Sequence, residues 1–353
     1  MAERILMKGA EACAEGAIKA GCRFFFGYPI TPQNEVAGYM SRRLPEVGGV
    51  YLQGESEVAS INMVLGAAAA GTRAMTSSSS PGISLMQEGI SYIVGCEVPA
   101  VIVNFVRGGP GLGGIGPAQS DYFQATRGGG HGDYNLVVLA PSTVQELVDL
   151  MKEAFDIADR YRNPVMVLAD GIIAQMMEAV EFKYGVDPAT LPAKTWAVGG
   201  ASGRPRNIIK SLDLIPENLE KHNWKLQEKF SLARKNEVRW EEFMMEDAEI
   251  VLVCFGTVAR IAKKSIEEAR KKGIKAGLIR PITLWPFPEE PFRKAISRAR
   301  RFLVVEMNAG QMIEDVRLQV CRARPIDFKG KPGGTVFTPS EILELILKLE
   351  ESK

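Results

Sequence analysis

Short apolar runs alternate with stretches of helical periodicity from the start of the chain to about Gln175, the pattern of a parallel sheet wrapped by helices. The spacing predicts a helix over 8–20 closed by Gly21, a strand over 23–26, and a helix from Pro32, where proline suits a first turn. Strands follow over 49–53, 73–77, 99–106 and 135–139, with helices over 56–70, 82–95 and 143–160. Ser142 and Gln145 form a capping-box pattern that opens the last of these helices, and 164–168 is a further buried strand. From Glu181 to Glu246 the periodicity fades into Pro- and Gly-rich sequence and then the charged run Glu217–Glu242, which reads as a connector, part loop and part solvated helix. Alternation then resumes, with strands over 249–254, 275–279 and 302–306 and helices over 258–272, near 288–298, after Gly310 and over 339–350. An α/β fold in three segments is expected: 1–180 with helices on both faces of a parallel sheet, a connector over 181–246, and a smaller α/β unit over 247–353.

Charge and cysteine usage narrow the partners. Lys and Arg number 43 against 42 Asp and Glu, a net charge of +1 that favours neither nucleic acid nor an anionic membrane. The cysteines at 13, 22, 96, 254 and 321 form no CxxC pair, so an iron–sulfur cluster or structural zinc would belong to another chain. Scattered thiols suit a reducing cytosol, and Met1–Ala10 lacks the basic-then-apolar character of a signal peptide, so a cytoplasmic location is expected. The apolar stretch Ile61–Ala70 is too short to span a membrane.

In open parallel sheets, ligands bind beyond the carboxyl ends of the strands, where loops lead into helix N-termini. Four strands here deliver Gly27-Tyr28-Pro29-Ile30-Thr31-Pro32, Gly54-Glu55-Ser56-Glu57, Ser78-Ser79-Ser80-Pro81-Gly82 and Arg107-Gly108-Gly109 to one rim. A hydroxyl, a carboxylate, a serine-rich turn and a guanidinium are parts suited to orienting a small organic acid. Arg107, between a buried strand and a glycine run, has few local partners and a fork that matches a carboxylate. Spacing alone leaves Glu55 and Glu57 both open as the working carboxylate. Residues 111–116 match GxGxxG, but Pro117 and the polar Gln119-Ser120-Asp121 stand where a helix must open, so nicotinamide binding is rejected in favour of a loop that closes over a ligand. His131, flanked by glycines, is a further candidate, whereas His222 lies in the charged connector; the two histidines make no HExxH, and no metal site is expected on this chain.

Taken together, Gly27–Pro32, Gly54-Glu55-Ser56-Glu57-Val58-Ala59, Thr76–Gly82 with Ser84–Glu88, and Arg107–Pro110 with Gln119–Asp121 resemble the α subunit of 2-oxoacid:ferredoxin oxidoreductases. Phe255-Gly256-Thr257, Arg280–Pro288 and Val305–Gln311 are similar to the transketolase-C-terminal-like domain that follows in that family, so the resemblance spans nearly the whole chain. It implies a thiamin-diphosphate fold of the pyrimidine type, with Glu57 hydrogen-bonding the aminopyrimidine nitrogen and Pro29, Ile30, Ser78 and Ser79 beside the cofactor. It implies Arg107 on the substrate carboxylate, Thr31 near the reacting carbonyl, and a substrate loop of Arg107, Gly108, Gly109, Gln119, Asp121 and His131. Coenzyme A would accept the acyl group and ferredoxin the electrons. The chain has no GDG-plus-Asn motif for magnesium and diphosphate and no cluster cysteines. The resemblance therefore places those parts on a thiamin-diphosphate-binding β subunit, a γ subunit and a ferredoxin-like δ subunit.

An unfused α chain with this loop most resembles the branched-chain (3-methyl-2-oxobutanoate) enzymes, with the 2-oxoglutarate enzymes close behind. A second substrate carboxylate calls for another cation, which Arg127 or His131 would supply. The β-type subunit of a 2-oxoacid dehydrogenase decarboxylase component shares the two-domain plan, but Tyr28–Pro32 and Arg107–Pro110 argue against it. A non-catalytic assembly subunit would keep the same fold without needing Glu57 or Arg107.

Overall fold

The computed structural model describes residues 4–352, so the first three residues of the Met1–Ala10 stretch lie outside it. The chain runs through β1 (Ile5–Lys8), α1 (Gly9–Lys19), β2 (Phe24–Gly27), α2 (Asn34–Glu46), β3 (Val50–Gln53) and α3 (Glu57–Ala69). It continues as β4 (Ala74–Ser78), α4 (Ser80–Gly95), β5 (Ala100–Val106), α5 (Tyr122–Arg127), β6 (Val137–Leu139), α6 (Val144–Tyr161), β7 (Pro164–Asp170) and α7 (Gly171–Gln175). After β8 (Met177–Val180) come α8 (Pro216–Asn236), β9 (Trp240–Phe243), β10 (Ile250–Val253), α9 (Gly256–Lys271), β11 (Ala276–Pro281) and β12 (Thr283–Trp285). The rest is α10 (Glu290–Ile296), β13 (Arg301–Glu306), α11 (Met312–Val320), β14 (Ile326–Gly330) and α12 (Pro339–Glu351).

A seven-stranded sheet, ordered β12-β6-β7-β5-β4-β2-β3, is parallel except for β12, which runs antiparallel to β6. Both faces are covered, which is why β5 and β7 are apolar at nearly every position. Phe25, Met75, Val101 and Val103 point into a core with α1, α2 and α6, whereas Phe26 and Ile102 point into the opposite core with α3 and α4. A five-stranded sheet, β14-β13-β10-β11-β9, forms the C-terminal unit, with α9 and α12 packed over Ile250, Leu252 and Leu278. Strands β1 and β8 make an antiparallel ribbon of their own.

Two details differ from the sequence pattern. The cap of α6 is Thr143, whose hydroxyl accepts from the Glu146 amide at 3.0 Å while Glu146 reaches back to Ser142, so the box sits one residue later than the Ser142–Gln145 spacing suggests. The charged run of the connector is helical only as α8, which buries Leu226, Phe230 and Ala233, and it ends not as connector but in β9, an edge strand of the C-terminal sheet. Among the described residues no helix is long and apolar enough to cross a membrane.

The two sheets are tied together by polar contacts that cannot be rearranged cheaply. Gln119 donates from Nε2 to the Phe255 carbonyl (2.9 Å), accepts the Met307 amide on Oε1 (3.0 Å), and exchanges backbone bonds with Met307 and the Asn308 side chain. Arg280 of β11 grips Glu146 of α6 with both terminal nitrogens, at 2.9 and 2.7 Å, and Glu241 of β9 with Nε at 2.7 Å. Because Gln119 is 2% exposed, Gln119→Met strands a buried amide and a buried carbonyl. The expected loss is about 3 kcal/mol, read from the denaturant midpoint at unchanged slope.

Candidate functional site

The carboxyl ends of β2, β3, β4 and β5 open side by side, and each feeds a functional loop directly into a helix or turn. After β2, Gln33 is buried and stapled. Its amide donates to the Tyr28 carbonyl at 3.2 Å, and its carbonyl accepts the Ser77 hydroxyl of β4 at 2.5 Å. These bonds fix the Tyr28–Pro32 turn and present Pro29 and Thr31 outward, with Ile30 half-buried.

After β3, Ser56 caps α3 by accepting the Ala59 amide at 3.3 Å, which puts Glu57 in the first helical turn where the dipole favours an anion. Glu57 is only 5% exposed, yet its carboxylate has no hydrogen-bond or ion-pair partner among the described residues. The carboxylate is aimed at Gly82. A Cβ on Gly82 would stand 2.5 Å from Glu57 Oε1 and 2.1 Å from Ser78 Oγ, so glycine is the residue that lets carboxylate and hydroxyl converge. Glu55, by contrast, is exposed.

The serine run supplies more unsatisfied groups. The hydroxyls of Thr76, Ser78 and Ser79 and Oδ1 of Asn104 are buried without a partner. Native interiors leave few such atoms, so this run of them, with Ser78 Oγ converging on the unpaired Glu57 carboxylate at Gly82, marks a cradle for a polar ligand. After β5, Arg107 is 7% exposed; Nη1 donates to the Thr31 carbonyl at 2.9 Å, Nη2 to the Leu112 carbonyl at 3.0 Å, and Nε is unpartnered. Of its five N–H groups, Nε–H and one on each terminal nitrogen remain for a carboxylate. Beneath it, Asn104 donates to Asp121 at 2.8 Å, and burial raises the Asp121 carboxyl above its usual range against the hydrogen bonds of Ser80 and Asn104.

Thr31, Glu57, Ser78, Ser79, Arg107, Gly108 and Asp121 therefore gather at one rim, but the other loop candidates do not. Gln119, expected in a substrate loop, has its side-chain amide engaged by Phe255 and Met307 of the C-terminal unit. His131 is exposed on a loop whose Gly129 and Gly130 amides bond to Gln87 and Tyr134, well along α4 from Ser80. Arg127 pairs with Glu314 (3.2 Å) and Asp315 (3.6 Å) and stacks over Phe123. Sequence reasoning does not reach Asn104 and Gln33; the one visible signal is a lone polar residue in the apolar run of β5. The 111–116 segment opens no helix, as the rejection of a dinucleotide fingerprint requires. Among the described residues no group of three or more His, Cys, Asp or Glu is placed to hold a metal ion.

Comparison with known proteins adds family context. Residues 15–202 match the family model described as pyruvate flavodoxin/ferredoxin oxidoreductase, thiamine diphosphate-binding, and residues 248–342 match pyruvate:ferredoxin oxidoreductase core domain II. The chain is 49% identical to ketoisovalerate oxidoreductase subunit VorB of Methanothermobacter marburgensis, over 98% of this chain and 97% of that protein. It is 39% identical to 2-oxoglutarate synthase subunit KorA of Methanocaldococcus jannaschii, over 97% and 98%. Among solved structures, 2-oxoglutarate:ferredoxin oxidoreductase from Magnetococcus marinus, with 2-oxoglutarate, coenzyme A and succinyl-CoA bound, superposes with a TM-score of 0.88 at 27% identity. That match covers 98% of this chain and 65% of that one. A split-gene transketolase, described as an inactive beta4 tetramer, shares the fold alone, at a TM-score of 0.60 and 12% identity.

Proposed function

The chain belongs to the 2-oxoacid:ferredoxin oxidoreductase family, and from that premise we propose that it is the α-type subunit of an enzyme that oxidatively decarboxylates a branched-chain 2-oxo acid to its acyl-CoA and reduces ferredoxin. The observation that carries the reading is the unpartnered carboxylate of the largely buried Glu57, converging with the orphaned Ser78 hydroxyl at Gly82 on the same rim as Arg107. Thiamin diphosphate, when bound, supplies a carbanion nucleophile for the 2-oxo carbon. Glu57 fits the aminopyrimidine end of that cofactor, because its carboxylate lacks a partner and Gly82 leaves it room. Its work is to hold a proton at the ring nitrogen, which sets the tautomer whose exocyclic nitrogen acts as base. Ser78, Ser79, Pro29 and Ile30 flank the same cradle.

Arg107 receives the substrate carboxylate through Nε–H and a free terminal N–H, and the Thr31 hydroxyl hydrogen-bonds beside the reacting carbonyl. The 108–116 loop, held by Arg107 Nη2 on the Leu112 carbonyl, would shield this position from water. Magnesium, the diphosphate contacts and the iron–sulfur clusters are assigned to partner subunits: a β subunit that completes the cofactor site, a γ subunit and a ferredoxin-like δ subunit. Coenzyme A is the acyl acceptor.

Charge favours the branched-chain substrate over 2-oxoglutarate. Arg127 is held in ion pairs away from Arg107, and His131 is remote. An open cleft of about 710 Å³ beside Thr31 is lined by the apolar Pro32, Ile115, Pro117, Ile172 and Met176 and by the polar Asn34 and Gln175; its one charged lining residue, Glu35, pairs with Lys8 at 3.2 Å and accepts from Gln175 at 3.0 Å. Such a lining accepts an apolar substituent and offers no cationic side chain to a second carboxylate. Anaerobic purification of the assembled enzyme, assayed for coenzyme-A-dependent viologen reduction over a panel of 2-oxo acids, tests this. 3-Methyl-2-oxobutanoate is expected to exceed 2-oxoglutarate by at least about tenfold in kcat/KM; the reverse order would replace the substrate, and no activity on any 2-oxo acid would sink the reading.

A further inference from the structure

Two glycine-rich segments far apart in sequence cross beside Arg107, and no side chain separates them. At the base of the 108–116 loop, the Gly108 amide donates to the Gly116 carbonyl at 2.9 Å, and the Gly114 amide returns to the Gly108 carbonyl at 2.8 Å. Both ends of that base lie against a turn of the C-terminal unit. A Cβ on Gly108 would stand 3.0 Å from the Gly333 carbonyl group, and one on Gly116 would stand 2.8 Å from the Gly334 oxygen. Contacts this short exist because neither chain carries a side chain at the crossing.

The turn itself is well anchored. The Lys331 amide donates to the Glu306 carbonyl at 3.0 Å, and its ammonium binds the Val336 carbonyl at 3.0 Å and Glu341 at 2.6 Å while lying over the Phe337 ring. The loop is tied on its other side to Arg107, whose Nη2 holds the Leu112 carbonyl. The substrate loop therefore spans a fixed turn from one unit and the guanidinium of the other.

We infer that the Lys331–Gly334 turn is a positioning element for Arg107: it is the stop against which the 108–116 loop seats, so that the C-terminal unit sets where the guanidinium meets the substrate carboxylate. This rests on the reading of Arg107 as the carboxylate clamp. Gly116 and Gly334 are the two faces of the contact. A Cβ on Gly116 meets the Gly334 oxygen without any left-handed backbone at residue 116, while a Cβ on Gly334 meets the Gly116 Cα at 3.1 Å. Gly333 shares the left-handed backbone of Gly334, with φ of +83° against +101°, but open space surrounds its Cβ position, so Gly333→Ala reports backbone strain alone.

In the assembled enzyme, Gly116→Ala and Gly334→Ala are expected to raise KM for the 2-oxo acid about tenfold while leaving KM for coenzyme A unchanged. In the full chain, amide hydrogen exchange at Gly108 and Gly114 is expected to quicken about tenfold in the same two variants and not in Gly333→Ala. Wild-type KM and wild-type exchange in Gly116→Ala and Gly334→Ala overturn the inference, as do equal changes in Gly333→Ala. The exchange measurement needs no catalysis, so an enzyme inactive on every 2-oxo acid counts against the functional reading while the seating of the loop is still decided.

Discussion

Glu57→Gln is expected to lower turnover of the assembled enzyme at least about a thousandfold while leaving the fold and the cofactor affinity nearly intact. The substitution is close to isosteric, so the packing against Gly82 and the Ser56 cap of α3 are kept. What is lost is an oxygen pair able to share a proton with the aminopyrimidine nitrogen; an amide donates but cannot hold that proton. Coenzyme-A-dependent dye reduction gives the rate, and equilibrium dialysis of thiamin diphosphate gives the affinity. Glu55→Gln, at an exposed position, serves as the comparison and is expected to stay within about twofold of wild type.

The second large effect falls on Arg107. Arg107→Lys keeps the charge but removes the Nε–H and the fork that reaches the Thr31 and Leu112 carbonyls at once. The expected result is a fall of about a hundredfold in kcat/KM, chiefly through KM for the 2-oxo acid, because a carboxylate that had two aligned donors is left with one. Arg107→Met goes further by removing the charge. Wild-type kinetics in both Arg107→Met and Glu57→Gln would instead favour an assembly subunit with no catalytic part.

The long, strongly patterned elements are readable because each carries its own periodicity: α6 alternates apolar and polar faces over eighteen residues, and β5 is a continuous buried run. The short antiparallel additions are not. Strands β1, β8 and β12 have three or four residues each, too few to show a period, and their partners are distant in sequence, as with Ile5 opposite Val180. The start of α6 shifts by one residue from its sequence pattern because Ser142, Thr143, Gln145 and Glu146 offer two overlapping boxes, which only the backbone geometry at Thr143 separates. At the site, chain order and strand ends suffice to gather Thr31, Glu57, Ser78, Ser79 and Arg107. Spacing does not say that Gln119 faces the C-terminal unit or that Arg127 finds Glu314 and Asp315, because those partners lie nearly two hundred residues away. Asn104 shows the converse: a polar residue inside an apolar strand is visible in sequence, but its role as support for Asp121 emerges only when β5 and the following loop are folded together.

On the proposed function, this chain contributes the carboxylate that activates a cofactor shared with a partner subunit. The most direct test of that role is the rate at which the C2 hydrogen of thiamin diphosphate exchanges with deuterated solvent in the assembled enzyme, compared between wild type and Glu57→Gln at saturating cofactor. Exchange is predicted to be at least about a hundredfold slower in the variant; equal rates in the two proteins would show that Glu57 does not activate the cofactor.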